Sequence, residues 1–217
     1  MCFSAEASFI VSGALSIAGV SAIRKVRDRK DMFIALIPLI FALQQFTEGL
    51  LWVTLENEAI SHAQFWLTTL YGIFIGVIWP FYAPFALYQG EVEHRTRRVM
   101  ISMIVIGLGL AAYTITGLIS KPIIVYIVNG SIRYVHDVEG QQFVLVMYLF
   151  VTCVPFILSS DRHLNMTGAV ITLGFFVAFY TYRETFASVW CFFAAIASAF
   201  IYVYVIKQNK RIQTVQD

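Results

Sequence analysis

The sequence predicts an all-α integral membrane protein with seven transmembrane helices, and two observations carry this prediction. Of its 217 residues 59% are apolar and 13% charged, with a mean hydropathy of +0.75, whereas soluble domains carry about 25% charged residues. The chain also contains apolar stretches close to the roughly 20 residues that a membrane helix needs. This composition excludes a disordered chain, a nucleic-acid-binding protein and an ordinary soluble enzyme.

The predicted spans are mostly apolar and are separated by polar or charged residues. They cover residues 5–23, 32–55, 65–88, 99–119, 143–158, 164–182 and 186–206. Only residues 159–163 separate the fifth span from the sixth. We prefer seven spans to six because an irregular segment at membrane depth would leave backbone polar groups unpaired in lipid. The spans form one domain over residues 1–217, with a basic cytoplasmic tail at 207–217.

Lys and Arg residues predict the orientation, because cytoplasmic loops are enriched in them. Twelve of the 15 lie in the first, third and fifth loops and in the tail, whereas Lys121, Arg133 and Arg183 lie on the opposite side. We therefore expect the N-terminus outside and the C-terminus in the cytoplasm. No basic residue precedes the first span, which is not typical of a cleaved signal, so this span is expected to stay in the mature protein.

A small β-hairpin is predicted in the outer loop between the fourth and fifth spans, over about residues 122–136. Two runs of β-branched and aromatic residues flank Asn129-Gly130. Asn-Gly is typical of a two-residue hairpin turn, because both of its positions need positive φ. The hairpin is expected over the outer mouth of the bundle, either as a shield for helix ends or as a lid on a site.

Glu48 is the residue that points most directly to function, because an ionisable group inside a span is costly unless it faces protein or water. Gln44, Glu48 and Trp52 recur every four residues and share a helix face, with Gln45 beside them. Glu48 lies roughly 10 Å from the outer end of its span by helical rise. We interpret it either as a protonated carboxyl hydrogen-bonded to a neighbouring helix or as part of an outward-facing site.

Two cysteines are expected in the same outer half of the bundle as Glu48. Cys191 is placed level with Glu48 by the same helical rise, Cys2 lies just before the first span, and Cys153 is deeper and is interpreted as a core residue. With His136 from the hairpin, Cys2, Glu48 and Cys191 could bind zinc or another transition metal, although their spacing matches no metal motif. Cys2 and Cys191 could instead form a disulfide. Cys2 could also act as an N-terminal nucleophile if the initiator methionine is removed.

Several membrane families are excluded by the residues that they need. Retinal binding needs a Lys within a span, but every Lys lies in a loop or the tail, so no retinal is expected. Seven-span zinc hydrolases need intramembrane His, but the four His residues lie at or outside span ends. The remaining candidates are a site for a small ligand or metal ion, an enzyme with a Cys nucleophile and Glu48 as acid or base, a transporter with Glu48 as its coupling acid, and a structural scaffold.

Four motifs together resemble an uncharacterised family of mostly bacterial multi-span proteins whose members begin Met-Cys-Phe-Ser-Ala. They are residues 1–5, residues 44–52, the Trp79-Pro80 pair and residues 188–195. The resemblance implies a bacterial inner membrane and no particular reaction. It marks as family positions Cys2, Gln45, Glu48, Trp52, Trp190 and Cys191.

From these arguments we expect a site for a small ligand in which Gln44, Gln45, Glu48, Trp52 and Trp190 are the ligand-binding residues. The expected partners are the lipid bilayer and that ligand or metal ion.

Overall fold

The computed structural model describes residues 4–57, 61–137 and 140–216, without the side chains of Ser61, Gln141 and residues 210–216. Cys2 lies outside the described residues. The described chain is mostly helical, and its elements in chain order are α1 (Ala5–Lys25), α2 (Arg29–Ala35), α3 (Ile37–Glu56), α4 (Ser61–Ile73), a π-helical segment (Phe74–Ile78), α5 (Trp79–Gly90), α6 (His94–Ser120), β1 (Ile124–Val128), β2 (Ser131–Val135), α7 (Gln141–Leu158), α8 (Arg162–Thr181), α9 (Phe186–Ser198) and α10 (Phe200–Gln216).

The described residues contain six helical stretches that are long and apolar enough to cross a membrane. They are Ala5–Lys25, Arg29–Glu56, His62–Gly90, His94–Ser120, Arg162–Thr181 and Phe186–Asn209. These stretches correspond to all of the predicted spans except the fifth. The fifth predicted span is the shorter apolar helix Gln142–Leu158. The described chain is therefore mostly helical, as predicted, and six of its helical stretches have the length and composition that a membrane span requires.

The predicted β-hairpin is confirmed. Strands β1 and β2 pair antiparallel, with Ile124 opposite Val135 and Val128 opposite Ser131. Asn129 and Gly130 form the turn with φ values of 49° and 72°, the left-handed conformation that two-residue hairpin turns require. One side of the hairpin packs on the C-terminal end of α3, where Val125 and Ile132 are buried against Leu51 and Trp52.

Polar contacts join the loops that the sequence predicts to be cytoplasmic. These loops lie at one end of the bundle, which we call the basic end. The Tyr204 hydroxyl of α10 donates to Asp31 Oδ1 of α2 at 2.7 Å. The Asn209 side chain donates to the Lys25 carbonyl at the end of α1. The first loop and the C-terminal helix therefore lie side by side, as the shared charge of these segments predicts.

Glu91 joins two further loops at the basic end. Its carboxylate accepts the Ser160 N–H at 2.8 Å and the Ser160 hydroxyl at 2.6 Å, and it also accepts the N–H groups of Val92 and Glu93. Burial raises the pKa of Glu91, but these hydrogen bonds outweigh burial and leave the pKa below its ordinary value. Glu91 thus ties the α5–α6 loop to the α7–α8 loop.

The opposite end carries the hairpin, and we call it the hairpin end. Lys121 at the end of α6 pairs with Asp137 after β2 at 2.7 Å, and Arg133 of β2 pairs with Glu184 of the α8–α9 loop at 3.1 Å. Helix α7 therefore follows the hairpin at one end and finishes beside Ser160 at the basic end.

The π-helical segment and the prolines that follow it allow an unusually close helix contact. Pro84 has no N–H to donate to the Pro80 carbonyl one turn earlier. Gly107 of α6 packs against this carbonyl, and a Cβ at Gly107 would lie 2.0 Å from the Pro80 oxygen. A Cβ at Gly76 would likewise meet the Thr114 side chain at 2.3 Å. These two glycines let α6 lie directly against the π-helical segment and α5.

Candidate functional site

Glu48 is fully buried in α3 and is held by side chains from two helices. Its Oε1 accepts a hydrogen bond from the Ser188 hydroxyl of α9 at 2.6 Å, and its Oε2 accepts one from Gln45 Nε2, one turn earlier in α3, at 3.2 Å. Hydrogen-bond partners offset the cost of removing a polar group from water. The predicted face of Gln44, Glu48 and Trp52 is buried in the protein.

The polar network continues from Glu48 to Gln44 and Cys191. Gln44 Oε1 accepts a hydrogen bond from the indole N–H of Trp79 in α5. The Cys191 thiol lies beside the Gln44 carboxamide and the Tyr71 hydroxyl, and within electrostatic range of Glu48. Polar side chains of α3, α5 and α9 therefore lie near one another between Trp79 and Ser188.

Several buried polar atoms around this network have no hydrogen-bond partner in the part of the chain that the structure describes. They are Ser8 Oγ, Gln45 Oε1 and Trp52 Nε1, while Gln44 Nε2 has the Cys191 thiol beside it. Buried polar groups nearly always have hydrogen-bond partners in proteins, so these atoms depart from the usual pattern. Both donors and acceptors occur among them, because an indole N–H donates, a carboxamide oxygen accepts and a hydroxyl can do either.

A cavity of about 310 Å³ lies beneath the hairpin and has Cys191 in its wall. Its lining is mainly aliphatic and aromatic, with hydroxyl, imidazole and thiol groups at a few positions. The lining side chains come from helices α4, α6, α7 and α9, the π-helical segment and the hairpin, and include Tyr71, Ile75, Leu110, Tyr113, Ile123, Tyr134, His136, Val144, Leu145, Tyr148, Phe186, Ala187, Trp190 and Cys191. A concave apolar site with a few polar groups is the usual form of a small-molecule site.

Stacked aromatic rings fix the hairpin over this cavity. The rings of Tyr71 in α4 and Tyr134 in β2 are nearly parallel, at 7°, with centroids 4.4 Å apart. A smaller space of about 30 Å³ also borders Cys191 and is lined by Phe41, Trp79 and Thr152, among others. Cys191, Tyr148 and Trp190 border both spaces.

Trp190 contributes an aromatic face to the cavity wall. Its indole N–H is already used, since it donates to the Ile171 carbonyl of α8 at 3.1 Å. Its ring stacks on Phe186 and meets Tyr148 edge to face, with centroid distances of 5.6 Å and 5.4 Å. Trp190 can therefore offer a ligand an apolar ring surface but no free N–H group.

The structure brings together four of the predicted site residues, namely Gln44, Gln45, Glu48 and Cys191. Trp190 borders the same region from the cavity. Trp52 instead packs in the cluster beneath the hairpin. Cys153 is buried beside Thr152 in the core, as its depth predicts, and Cys153 and Cys191 are free thiols.

The predicted metal site is not formed by the described residues. Among residues 4–57, 61–137 and 140–216, no group of three or more His, Cys, Asp and Glu side chains could hold a metal ion. His136 lines the cavity with its Nε2 3.1 Å from the Lys121 carbonyl, while Ser188 and Gln45 hold the Glu48 carboxyl. Cys2, the fourth predicted ligand, lies outside the described residues.

Sequence reasoning missed Trp79, Tyr71 and Ser188 as partners of the site. Ser188 lies three residues before Cys191, so helical spacing alone places both on one side of α9. Trp79 belongs to one of the motifs that carry the family resemblance, but nothing local links it to Gln44. Tyr71 could not be predicted as a partner, because its position in the site depends on how the hairpin packs on α4.

Comparison with known proteins finds one family. A model of a family of unknown function, DUF6629, matches residues 1–216, which confirms the resemblance to an uncharacterised family. No curated protein and no solved structure matches the chain.

Proposed function

The chain belongs to the DUF6629 family of unknown function, and we propose from its site that it is a membrane protein that binds a small, largely apolar ligand beneath the hairpin. The ligand occupies the 310 Å³ cavity, with its polar group directed at Cys191 and the Gln44–Glu48 network. The single observation that carries this proposal is that Cys191 belongs both to the wall of the cavity and to the buried polar network.

The proposal places the chain in the membrane with seven crossings, the hairpin end outside and the basic end in the cytoplasm of a bacterial inner membrane. The course and the length of α7 support seven crossings. Helix α7 runs from the hairpin end to the basic end, and its 18 residues give a length of roughly 27 Å, close to the thickness of the hydrocarbon core. The uneven distribution of Lys and Arg supports the orientation. The cavity then faces outward.

The lining chemistry supports a mostly apolar ligand with a few hydrogen-bonding groups. Aromatic and aliphatic side chains form most of the cavity surface, and the phenol groups of Tyr71, Tyr113 and Tyr134 interrupt it. Beyond the cavity wall, Gln44 Nε2 is a buried donor that lies beside the Cys191 thiol. A ligand that carries an acceptor group matches this donor, and its apolar body matches the cavity.

The surroundings of Cys191 favour a binding role over that of a nucleophile. Reactive thiolates lie next to cations, metals or helix N-termini. Cys191 instead lies within α9, beside a carboxamide and a phenol and near the Glu48 carboxyl. A thiol in this setting can hydrogen-bond weakly and pack as an apolar group.

The test uses 1-naphthol, an apolar bicyclic molecule with a single hydroxyl group, as the probe. The melting temperature of the purified protein is measured in lipid nanodiscs over a range of probe concentrations. A molecule that binds only the folded state raises the melting temperature in a saturable manner. We expect this increase for the wild type and its loss in Ala187→Trp, because Ala187 lines the cavity and the indole ring fills it.

Ala169→Trp is the matched control, because Ala169 is exposed on α8 and does not line the cavity. It adds the same side chain and should keep the wild-type response to 1-naphthol. If the wild type shows no saturable increase, or if all three proteins respond equally through partitioning of the probe into lipid, the proposed cavity site is wrong.

A further inference from the structure

A second concave surface lies at the basic end, between α8 and α10, far from the hairpin. This groove has a volume of about 650 Å³. Its floor is formed by Met166 and Val170 of α8 and by Phe200 and Val203 of α10. These four side chains are 39–55% exposed, so the groove is an apolar surface that the described chain leaves open.

Basic side chains stand at the cytoplasmic mouth of the same groove. Arg162 and Lys207 are both exposed and both line it. Lys207 Nζ lies 2.7 Å from His163 Nε2, and His163 Nδ1 lies 3.0 Å from Asp161 Oδ1. Asp161 also accepts the His163 N–H as the cap of α8. Arg162 and Lys207 contribute two positive charges here and Asp161, which contacts His163, contributes one negative charge. The mouth of the groove therefore has a net positive charge.

We propose that this groove is a binding site for an anionic phospholipid of the cytoplasmic leaflet. The phosphate is held between Arg162 and Lys207, and an acyl chain lies along Met166, Val170, Phe200 and Val203. Basic pockets between membrane helices on the cytoplasmic side recognise anionic head groups by this combination of charge and apolar surface. The proposal rests on the proposed orientation of the basic end, but not on the cavity beneath the hairpin.

The test is native mass spectrometry of protein released from nanodiscs that contain equal amounts of phosphatidylglycerol and phosphatidylcholine. We expect the wild type to retain phosphatidylglycerol in preference to phosphatidylcholine. Arg162→Gln combined with Lys207→Gln should lower this preference about thirtyfold, from the usual contribution of two basic residues near a membrane surface. Val203→Trp, which fills the groove and keeps both charges, should also lower retention.

The matched control is Arg95→Gln combined with Arg98→Gln. It removes two exposed basic residues of the same end that do not line the groove, and it should retain phosphatidylglycerol as the wild type does. Equal losses in the two double variants would reduce the effect to general surface charge and overturn the site. Unchanged retention of phosphatidylglycerol by Val203→Trp would also overturn it, because the acyl chain would then contribute nothing. Since 1-naphthol binding concerns the other end of the molecule, the two proposals can fail separately.

Discussion

At the scale of single residues, the environment of the Glu48 carboxyl is determined by its hydrogen-bond partners in the bundle and not by its depth alone. Its carboxyl oxygens accept hydrogen bonds from Ser188 and Gln45. Gln45 Oε1 has no partner in the described chain, so the Gln45 amide can rotate by half a turn and offer an acceptor instead of a donor. The surroundings of Glu48 can therefore accommodate a side chain that both donates and accepts.

Replacing Glu48 by Gln should be tolerated, whereas replacing it by Leu should not. A carboxamide at position 48 still accepts the Ser188 hydroxyl and can donate to a rotated Gln45, so we expect a loss of less than about 1 kcal/mol in the free energy of unfolding. Glu48→Leu removes the hydrogen bonds that the carboxyl accepts from the Ser188 hydroxyl and the Gln45 amide, at about 1–3 kcal/mol for each lost bond. Denaturant unfolding in detergent micelles measures both. Equal stability of the two variants would contradict the assigned hydrogen bonds.

The sequence could predict which residues of the site lie at one level, but not which of them touch. Counting helical rise from the span ends puts Glu48 and Cys191 at the same depth, because the rise per residue is fixed. Rotation and neighbour order are set by packing between helices, which local spacing does not contain. For this reason the contact between Trp79 and Gln44 could not be predicted from the sequence. The depth of Cys191 could be predicted, because it depends on helical rise alone.

At the scale of elements, the close contact of α6 with the Pro80 carbonyl depends on a missing side chain. A Cβ at Gly107 would lie 2.0 Å from a backbone oxygen, which cannot move aside as a flexible side chain can. Gly109, two residues later, is exposed, and a Cβ at this position would have no neighbouring atom within 4 Å among the described residues. The two glycines therefore form a matched pair on one helix.

Gly107→Ala should destabilise the protein by about 3 kcal/mol, the upper part of the range for overpacking, because α6 must shift away from α5. Gly109→Ala should be neutral or stabilising by up to about 1 kcal/mol, since Ala is the better helix former. Thermal unfolding in the same detergent compares them. If Gly107→Ala and Gly109→Ala have the same melting temperature, α5 and α6 do not approach as closely as they do in the structure.

Glu91 links two loops, and this link should weaken in acid. Its pKa in the folded protein lies below the ordinary value because of hydrogen bonds from Ser160, Val92 and Glu93 that outweigh burial. A carboxyl with a lowered pKa contributes stability that is complete above the ordinary pKa, near 4.3, and that is lost as the pH falls toward the folded value.

We therefore expect the free energy of unfolding of the wild type to fall as the pH is lowered from 6 to below about 4. Glu91→Gln should be less stable by about 2 kcal/mol at neutral pH and should show a weaker dependence on pH. Ser160→Ala should lie between them, because it removes one donor to the carboxylate. Parallel pH profiles for the wild type and Glu91→Gln would show that Glu91 is not a stabilising acid.

Elements with a local signal were predictable, and those that depend on register were not. The hairpin follows from Asn129-Gly130 alone, since the turn geometry is set by two residues. The π-helical segment at 74–78 has no such signal, because one extra residue per turn is selected by contacts on both sides of it. Ile75 and Gly76 of this segment line the cavity.

At the scale of the whole molecule, composition and the distribution of Lys and Arg predict a membrane protein and its orientation, and the contacts at the two ends agree with a common side for the predicted cytoplasmic loops. Lys207 meets His163, and Glu91 meets Ser160, so the fifth loop lies with the third loop and the tail. The number of crossings then depends on α7, because Gln142–Leu158 is shorter than the six long apolar helices of the described chain.

Crossing by α7 predicts that residues on its two sides label from opposite sides of the membrane. In a variant with all three native cysteines replaced by Ser, Asn129→Cys in the hairpin turn should react with a membrane-impermeant maleimide in intact cells, whereas Arg162→Cys at the start of α8 should react only after the membrane is permeabilised. Arg98→Cys, in the predicted cytoplasmic third loop, should behave as Arg162→Cys does. A helix of about 27 Å can reach across the hydrocarbon core, and it avoids leaving backbone groups unpaired in lipid. Labelling of positions 129 and 162 from the same side would mean that α7 returns to the surface it left, and the hairpin and the basic end would then have to share one side of the membrane.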